Sequence, residues 1–344
     1  MTVTTVDSVD AARSIARLNA AYIQSRVLQS AAELGLFRLL AEGPADEPRI
    51  RAELGLHPRL SQDFLDALVG LEVLERDPEN HYHNSDAAER FLVPGVPFFL
   101  GGSVIRSATH HYAMWGGLTQ ALRDGAPTSA GFADKQALPR LYRDAEATRL
   151  FLNHMDAYNG FVGAELVRRI DWSARRSFLD VGGARGNVAA QLVQAHPHLT
   201  GGVFDLPDME PFFTEHMACL GTADRVRFHA GDFFEDALPQ ADVVMFGHVL
   251  HDWPESVRRM LLAKTYTALA PGGAVLVYDQ VIDDERRDPH RLLQSLNVRL
   301  VREGGSEFTA AQCAGWMQEA GFAAPTVTPL DTIGFDAAIL AVKP

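Results

Sequence analysis

The feature that most constrains the fold is an alternation of short apolar runs with helical patterns, starting at Ser177. The runs "SFLDVGG", "GGVFDLP", "VRFHAGDFF", "ADVVMFGHVL" and "AVLVYDQVI" have the length of strands, and segments such as "NVAAQLVQAH" between them have helical spacing. Repeated strand–helix units predict a parallel sheet covered by helices on both faces. The last segment, "TVTPLDTIGFDAAILAVKP", predicts two antiparallel strands joined near Gly334. Ligands of such sheets bind outside the carboxyl ends of the strands.

The chain before this sheet has a mostly helical pattern. One predicted helix has an apolar stripe that we expect to be buried, formed by Ile23, Val27, Ala31 and Leu34. The segment 49–76 predicts two helices around a turn at His57-Pro58, and Asp77-Pro78 predicts the turn of a small hairpin. Two helices followed by a hairpin are the outline of a winged helix.

A winged helix raises the hypothesis of a DNA-binding regulator. The chain has 31 basic and 44 acidic residues, and its net charge of −13 would repel nucleic acid and anionic membranes. The candidate recognition helix carries Asp63 and Asp66 in its first turns, where a DNA reader needs Arg or Lys. We therefore expect this domain to bind protein, and we expect no nucleic-acid partner.

The apolar and cysteine content favours a cytoplasmic protein. No run approaches ~20 apolar residues, and "MTVTTVDSVDAARSIARL" lacks the apolar core of a signal peptide. Cys219 and Cys313 are far apart and have no metal-like spacing, which predicts reduced, buried thiols. We expect no membrane partner.

A glycine-rich turn, "LDVGGARGNVA", joins the first strand to its helix. Gly182, Gly183 and Gly186 would let the backbone bend sharply and approach a ligand closely. The dinucleotide fingerprint needs glycine two and five residues after the first, where this chain has Ala184 and Asn187. A phosphate-binding Gly-Lys-Ser/Thr loop is also absent from the sequence.

Three carboxylates follow successive strands. Asp205 ends the second strand, where a carboxylate can accept from both hydroxyls of a ribose. Asp232 lies beside Phe233, a pair that suits the amine and ring of an adenine, and Asp180 could orient a positive group. A single such carboxylate would more often be a helix N-cap. Three at successive strand ends favour an adenosine without phosphate, as in S-adenosylmethionine.

From about Ala20 onward the chain resembles the class I S-adenosylmethionine-dependent O-methyltransferases of the plant caffeate/flavonoid, hydroxyindole and bacterial polyketide type. The motifs "LDVGGARG", "FDLP", "GDFF", "HDWPES", "LAPGG" and "GGSEFTAAQ…EAGF" occur in the family's order. The resemblance implies S-adenosylmethionine as cofactor, with Leu206 and Gly247 among the residues that contact it. The sequence departs from the family at Ala184-Arg185, where members usually have Gly followed by Thr, Ser or Lys.

The resemblance also implies the domain organisation. We expect a winged-helix-like dimerisation domain over residues 1–105, which would form a homodimer. Linking helices over 106–170 would contribute to the acceptor pocket. A doubly wound, Rossmann-like methyltransferase domain would span 171–344.

The resemblance implies that His251, in "GHVLHDWPES", is the general base that deprotonates an acceptor hydroxyl. A phenol has a pKa of about 10 and an imidazole of about 6.5, so a neutral histidine can take the proton as the new bond forms. The same register makes Asp279 and Glu307 the flanking acids. Many members have Glu at the first of these positions, and Asp279 is one methylene shorter.

Two other interpretations of His251 stay open from the residues alone. His248, His251 and Asp252 could bind a metal, but their spacing is not that of helical ligands and no Cys or His cluster accompanies them. His251 could also be a packed, neutral imidazole at a strand end. We expect no metal.

The resemblance places Met155, Trp115, Asn297 and Arg302 against a small aromatic acceptor. Arg299 and Arg302 would share one helical face, directed either at a substrate carboxylate or at solvent. The sequence therefore predicts methyl transfer to a hydroxyl of an aromatic natural product. The alternatives are methylation at carbon or nitrogen and, from another class, a winged-helix regulator that senses S-adenosylmethionine.

Overall fold

The computed structural model describes residues 6–129 and 135–344. It divides into two compact units, Met1–Tyr112 and Ala113–Pro344. The domain boundaries after residues 105 and 170, which the family resemblance implies, stay predictions. Among the described residues, no helix is both long and apolar enough to cross a membrane.

The first unit is helical with one small hairpin. Its elements are α1 (Val6–Leu34), α2 (Leu36–Ala41), α3 (Glu47–Leu54), α4 (Pro58–Gly70), β1 (Leu74–Arg76), β2 (Tyr82–Asn84), α5 (Asp86–Phe91), α6 (Gly101–Arg106) and a π-helical turn (Ser107–His111). The predicted pair of helices around His57-Pro58 is confirmed by α3 and α4. The predicted hairpin is confirmed by the antiparallel pairing of β1 with β2.

The apolar stripe of α1 is buried only in part. Ala31 is fully buried and Val27 packs against the same core, but Ile23 is 50% exposed and Leu34 is 39% exposed. The prediction of one buried face is therefore wrong for these two residues. Ile23 precedes the part of α1 that packs on this core, which begins at Val27, and Leu34 is the last residue of the helix and is not part of the core.

The second unit contains the large sheet and its helices. From Tyr112 onward the elements are α7 (Tyr112–Gly116), α8 (Leu118–Asp124), α9 (Ala137–Tyr142), α10 (Ala145–Arg169), β3 (Ser177–Val181), α11 (Asn187–Ala195), β4 (Thr200–Asp205), a 3-10 turn (Pro207–Met209), α12 (Glu210–Leu220), β5 (Val226–Ala230), β6 (Val243–Gly247), a 3-10 turn (Leu250–Asp252), α13 (Glu255–Ala268), β7 (Ala274–Ile282), α14 (Pro289–Val301), β8 (Phe308–Thr309), α15 (Ala310–Glu319), β9 (Thr326–Pro329) and β10 (Asp336–Val342).

The sheet confirms the predicted doubly wound α/β fold. Its strand order is β5-β4-β3-β6-β7-β10-β9, with β3 to β7 parallel and the last two strands antiparallel. A short parallel pairing of β8 with β7 was not predicted, because two residues are too few for a sequence pattern. The order in which strands are added reverses beside β3, since β4 and β5 lie on one side of it and β6 and β7 on the other. The loops that follow β3 and β6 therefore turn toward opposite faces of the sheet and open a crevice at its carboxyl edge.

Two buried clusters hold helices against the two faces of this sheet. Val244 and Phe246 of β6 belong to one cluster, and Val243 and Met245 of the same strand belong to the other. This strict alternation explains why β6 is a continuous apolar run in the sequence. Cys313 is buried as predicted, but Cys219 is exposed on α12, so the prediction of two buried thiols is wrong for that residue.

Candidate active site

A cavity open to solvent lies at the carboxyl ends of β3, β4, β5, β6 and β7. Eight of the nine residues predicted to bind the cofactor line it, namely Asp180, Gly182, Gly183, Asp205, Leu206, Asp232, Phe233 and Gly247. The ninth, Gly186, does not. The cavity is thus in the place that the sheet topology predicts for a ligand.

The glycine turn is shaped by left-handed backbone conformations. Gly182 has a φ of 74°, and an added Cβ would lie 2.7 Å from the Cγ2 atom of Val249. Gly186 has a φ of 82°, and a Cβ there would meet Met217 and Phe213 instead of the cavity. Gly186 therefore serves the packing of the turn against α12.

The two residues at which the turn departs from the family have distinct surroundings. Ala184 has a φ of 49°, a conformation in which a glycine would be unstrained. The Arg185 Nε donates to Asp156 Oδ2 at 2.8 Å and its Nη2 donates to Asn153 Oδ1 at 3.0 Å. Both partners belong to α10, so Arg185 ties the glycine turn to that helix.

Asp205 fixes the turn through its carboxylate. Its Oδ2 accepts from the backbone N–H of Ala184 at 2.9 Å, and its Oδ1 accepts from that of Leu206 at 2.8 Å. Burial raises the pKa of Asp205 to about 6, although both hydrogen bonds oppose the shift. Asp205 therefore shapes the cavity wall as well as facing it.

Asp180 is more strongly perturbed. It is buried at the end of β3, and the hydroxyl of Tyr278 donates to its Oδ1 at 3.4 Å. Burial raises the pKa of Asp180 to about 7, and the nearby charge of Asp205 adds to the shift. A positively charged ligand would favour the ionised form of this carboxylate.

The lining chemistry fits S-adenosylmethionine. Five carboxylates face the cavity, those of Asp180, Asp205, Asp232, Glu235 and Asp252, against one lysine, Lys135, among the described lining residues. An acidic cavity suits a sulfonium and an ammonium group. Asp232 lies beside the ring of Phe233, and its Oδ1 also accepts from the backbone N–H of Phe234 at 2.8 Å.

The structure brings the three predicted catalytic residues together. His251 lies in the 3-10 turn after β6, and its Nδ1 is 2.9 Å from Glu307 Oε1 and 3.0 Å from Asp279 Oδ1. Both carboxylates are buried, and their remaining oxygens have no hydrogen-bond partner. The opposite ring nitrogen, Nε2, lies 3.9 Å from Asp252 Oδ1, a residue of the cavity wall.

Protons are held tightly in this cluster. Burial alone would lower the pKa of His251, but the charges of Asp279 and Glu307 outweigh burial and raise it well above its usual value. Burial raises the pKa of Glu307, against the opposing effect of His251. His251 therefore binds its proton more tightly than a free imidazole, whose pKa is about 6.5.

The cluster also offers three atoms that a cation could use, since the donor atoms of His251, Asp279 and Glu307 lie within 4.8 Å of one another. The hydrogen bond from Nδ1 accounts for this arrangement without a cation. This group differs from the metal ligands considered from the sequence, which were His248, His251 and Asp252. The Nε2 of His248 is instead hydrogen-bonded to Asp336 Oδ1 at 2.7 Å.

A buried arginine holds the backbone around His251. The Arg258 Nε donates to the carbonyl of Trp253 at 2.7 Å, and its Nη2 donates to that of Ser306 at 2.6 Å. The backbone N–H of Ser306 donates to the carbonyl of His251 at 2.8 Å. Arg258 thereby fixes the segments that carry His251 and Glu307 relative to each other.

The predicted acceptor residues occupy three different settings. Met155 lines the cavity together with Phe151 and Asn159 of α10. The indole Nε1 of Trp115 donates to Asn297 Oδ1 at 2.9 Å, and neither residue is among those that line the cavity.

Arg302 lies outside the helix in which it was expected. It is the C-cap of α14 with an extended backbone, whereas Arg299 is in the last helical turn and exposed, so the expectation of a shared helical face is wrong. The Arg302 Nη2 lies 3.1 Å from Asp252 Oδ2, and the side chain is 6% exposed. This guanidinium therefore has a carboxylate partner within the protein.

Residues 115–323 match a family model described as the O-methyltransferase domain, and residues 16–94 match one described as the O-methyltransferase dimerisation domain. The chain belongs to this O-methyltransferase family. It is an S-adenosylmethionine-dependent methyltransferase, and its N-terminal unit carries the family's dimerisation domain. The resemblance inferred from the sequence motifs is confirmed.

Individual relatives agree with this assignment. The chain is 46% identical over 345 residues to the N,N-dimethyltransferase OxyT of Streptomyces rimosus, covering 100% of both chains. It is 49% identical over 312 residues to the tetracenomycin polyketide synthesis 8-O-methyl transferase TcmO of Streptomyces glaucescens, covering 90% of each. The crystal structure of human N-acetylserotonin methyltransferase in complex with SAM matches with a TM-score of 0.90 and 28% identity, covering 100% of this chain and 99% of that one.

Two residues beside the predicted site residues are not among those predicted from the sequence. Arg258 is buried on α13, and its position in "ESVRRMLL" does not distinguish it from the half-buried Arg259. Tyr278 lines the cavity and donates to Asp180. The rule that residues at strand ends face the ligand could have found Tyr278, because it lies near the end of the parallel part of β7.

Proposed function

We propose that this methyltransferase transfers a methyl group from S-adenosylmethionine to a hydroxyl of a small aromatic natural product, with His251 as general base. The observation that carries the proposal is the geometry of His251. Its Nδ1 is held by two buried carboxylates, and its Nε2 lies on the side of Asp252, which faces the cavity. A histidine oriented through one nitrogen is prepared to take a proton on the other.

The residues around the glycine turn would bind the cofactor. S-adenosylmethionine, when bound, supplies a methyl group activated by a sulfonium. Asp205 would accept from the ribose hydroxyls, Asp232 and Phe233 would hold the adenine, and Asp180 would face the positive charge. Their common position along the cavity wall supports this division of roles.

The catalytic cluster would handle the proton of the acceptor. His251 would accept the hydroxyl proton of the acceptor on Nε2, and the bound cofactor would supply the methyl group. Asp279 and Glu307 would fix the ring through Nδ1 and stabilise the imidazolium that results. One oxygen of each carboxylate is buried without a hydrogen-bond partner, so the ring of His251 is the group that the two carboxylates share.

The walls contributed by α10 support an aromatic acceptor. Met155 and Phe151 give a polarizable and an aromatic surface, which suit a flat ring. The name of the relative TcmO, an 8-O-methyl transferase of polyketide synthesis, points in the same direction. The predicted role of residues 106–170 in the acceptor pocket agrees with the position of these side chains.

Methylation of an aromatic amine is a second candidate, favoured by the full-length similarity to the N,N-dimethyltransferase OxyT. The two candidates differ in their need for a base. A neutral amine attacks through its lone pair and loses its proton afterwards, whereas a phenol must lose its proton as it attacks. Removal of His251 should therefore affect phenol acceptors far more than amines.

The test uses the intact enzyme with S-adenosylmethionine labelled in the methyl group and matched aromatic phenols and amines. We expect labelled methyl ethers from the wild type. His251→Ala should bind the cofactor with unchanged affinity and lose about 10²–10⁴-fold in kcat on phenols, the contribution of a positioned general base. Wild-type turnover of phenols by this variant would refute the base assignment. Labelled N-methyl products alone would favour the second candidate.

The N-terminal unit would form a homodimer. Within the dimerisation match, α1 exposes four large apolar side chains to solvent, those of Leu18, Tyr22, Ile23 and Leu34. An exposed apolar stripe on a long helix is the type of surface that a second copy covers.

A further inference from the structure

A second histidine, His248, lies in the active site without a role in the proposed mechanism. It directly follows β6, lines the cavity and has a φ of 53°. A positive φ is uncommon for residues other than glycine, although asparagine, aspartate and histidine adopt it more often than the rest, and such residues often occur at functional sites. The backbone N–H of His248 donates to the carbonyl of Tyr278 at 3.2 Å, which keeps the residue in this position.

Asp336 of β10 holds the ring of His248. The His248 Nε2 lies 2.7 Å from Asp336 Oδ1, and the two side chains are 4% and 0% exposed. Asp336 is fixed in turn, because its other carboxylate oxygen accepts from the hydroxyl of Thr332 and its backbone N–H donates to that hydroxyl at 3.1 Å. Burial alone would lower the pKa of His248, but the bond to Asp336 outweighs burial and raises it. The buried carboxylate at 2.7 Å and the raised pKa both favour the positively charged form of the ring.

The charged ring faces the proposed base. The centroids of the His248 and His251 rings are 5.9 Å apart, with an angle of 23° between the ring planes. A second positive charge on His251 would be opposed at this distance. Asp279 and Glu307 act in the opposite direction, since they bind the proton of His251 tightly.

We propose that His248, held by Asp336, is a positioning residue for methyl transfer: its positive ring packs against His251 and opposes a second proton there, so that His251 can accept the proton of the acceptor. The proposal rests on the proposed function, in which His251 is the base. It gives the His248–Asp336 pair a role beyond joining the end of β6 to β10.

Other charged groups also face the two rings. Those around His251 are Asp279 of β7, Glu307 before β8, Asp252 of the same 3-10 turn and Arg258 of α13. Those around His248 are Asp336 of β10, Asp180 of β3, and Asp279 and Tyr278 of β7. Among these groups His248 is the one cationic ring stacked on His251, so its loss leaves a net excess of negative charge beside the base.

The test compares two substitutions of His248. Asparagine tolerates a positive φ and removes the charge, whereas arginine keeps a positive charge opposite Asp336. Without the positive ring, His251 should bind its proton more tightly. His248→Asn should therefore move the acid limb of the kcat–pH profile to higher pH by about one unit, a tenfold change in proton affinity, with activity recovering at high pH. His248→Arg should restore the limb toward wild type.

An independent measurement follows the ring of His251 directly. NMR titration, with the His251 signal assigned by its loss in His251→Ala, should show the same upward shift in His248→Asn. His229→Asn, which removes a histidine from β5, is the matched control and should shift nothing. If His248→Asn fails to fold, Asp336→Asn is the second variant, because it keeps the imidazole ring but removes the carboxylate that favours its charged form. The titration of His251 should then shift in the same direction but less, because the negative charge of Asp336 is lost together with the positive charge of His248.

The outcomes separate this proposal from the proposed function. A uniform loss of activity at every pH, with the titration of His251 unchanged, would mean that His248 is only structural and would overturn the proposal. A shifted titration in an enzyme whose His251→Ala variant keeps full phenol turnover would support the coupling of the two rings and refute the base role of His251.

Discussion

The carboxylates at the ends of β3 and β4 and those around His251 are equally buried but are neutralised in different ways. Asp180 and Asp205 face an open cavity, and burial raises the pKa values to about 7 and about 6. Asp279 and Glu307 enclose an imidazole, and their charge appears as a raised pKa of His251. The first pair lines a cavity in which a bound cation could neutralise it, whereas the second pair contacts an imidazole of the protein.

This difference assigns cofactor binding and proton transfer to different groups of carboxylates at the same edge of the sheet. Changes near Asp180 and Asp205 should alter the affinity for S-adenosylmethionine, and changes near Glu307 should alter the pH dependence of turnover. The predictions below are arranged so that each half can be disturbed while the other is monitored.

The largest effect is expected from Asp205→Asn. An asparagine can accept one of the two backbone hydrogen bonds, but its amide group would face the N–H of Ala184, donor against donor. Loss of hydrogen bonds to an ionised acceptor is worth about 1.5–3 kcal/mol, so affinity should fall by about 10–100-fold in calorimetric titrations. The control is Asp208→Asn, an exposed aspartate in the following turn, which should bind normally. If Asp205→Asn also shifted the acid limb of the kcat–pH profile by a factor comparable to its loss of affinity, cofactor binding and proton transfer would not be separate.

A smaller effect is expected from protonation of Asp180. In the enzyme without ligand its pKa is raised to about 7, and a bound cation would favour the ionised form and lower that pKa. Cofactor binding should therefore release a proton below about pH 7. Affinity should rise with pH by up to about tenfold per unit there and level off above it.

Calorimetry in buffers of different ionisation enthalpy counts the protons released. Asp180→Asn, which keeps the shape of the side chain, should abolish this part of the proton release. If the number of protons is the same in both proteins, the release comes from another group, and Asp180 does not make the cavity pH-sensitive.

The two halves also differed in how far the sequence predicted them. Asp180 and Asp205 lie at the carboxyl ends of β3 and β4, and Asp232 follows β5, so the topology of a parallel sheet was sufficient to bring them to one edge. Gly186 was predicted with them but packs against α12, because a glycine can be required by Phe213 and Met217 as well as by a ligand. The spacing of glycines in the sequence does not show whether a glycine makes room for a neighbouring side chain or for a ligand.

The acceptor side depended on contacts between distant segments. The hydrogen bond between Trp115 and Asn297 joins residues that are 182 positions apart, and the sequence pattern of neither segment predicts it. Arg302 falls just beyond the end of α14, and that single-residue boundary decided whether it shared a helical face with Arg299. The His248–Asp336 pair was missed for the same reason, since β10 reaches β6 only through the antiparallel addition to β7.

The smallest effect, and the sharpest for the catalytic half, is expected from Glu307→Gln. Glu307 raises the pKa of His251, so its neutralisation should lower that pKa and move the acid limb of kcat to lower pH by about one unit. Asp279 still holds Nδ1, so the ring should keep its orientation, and cofactor affinity should not change. The control is Glu303→Gln, an exposed neighbour. This shift is opposite in sign to that of His248→Asn, because one change removes a negative charge beside His251 and the other removes a positive one. A limb that moves in the same direction in both variants would show that charge around His251 does not control its proton.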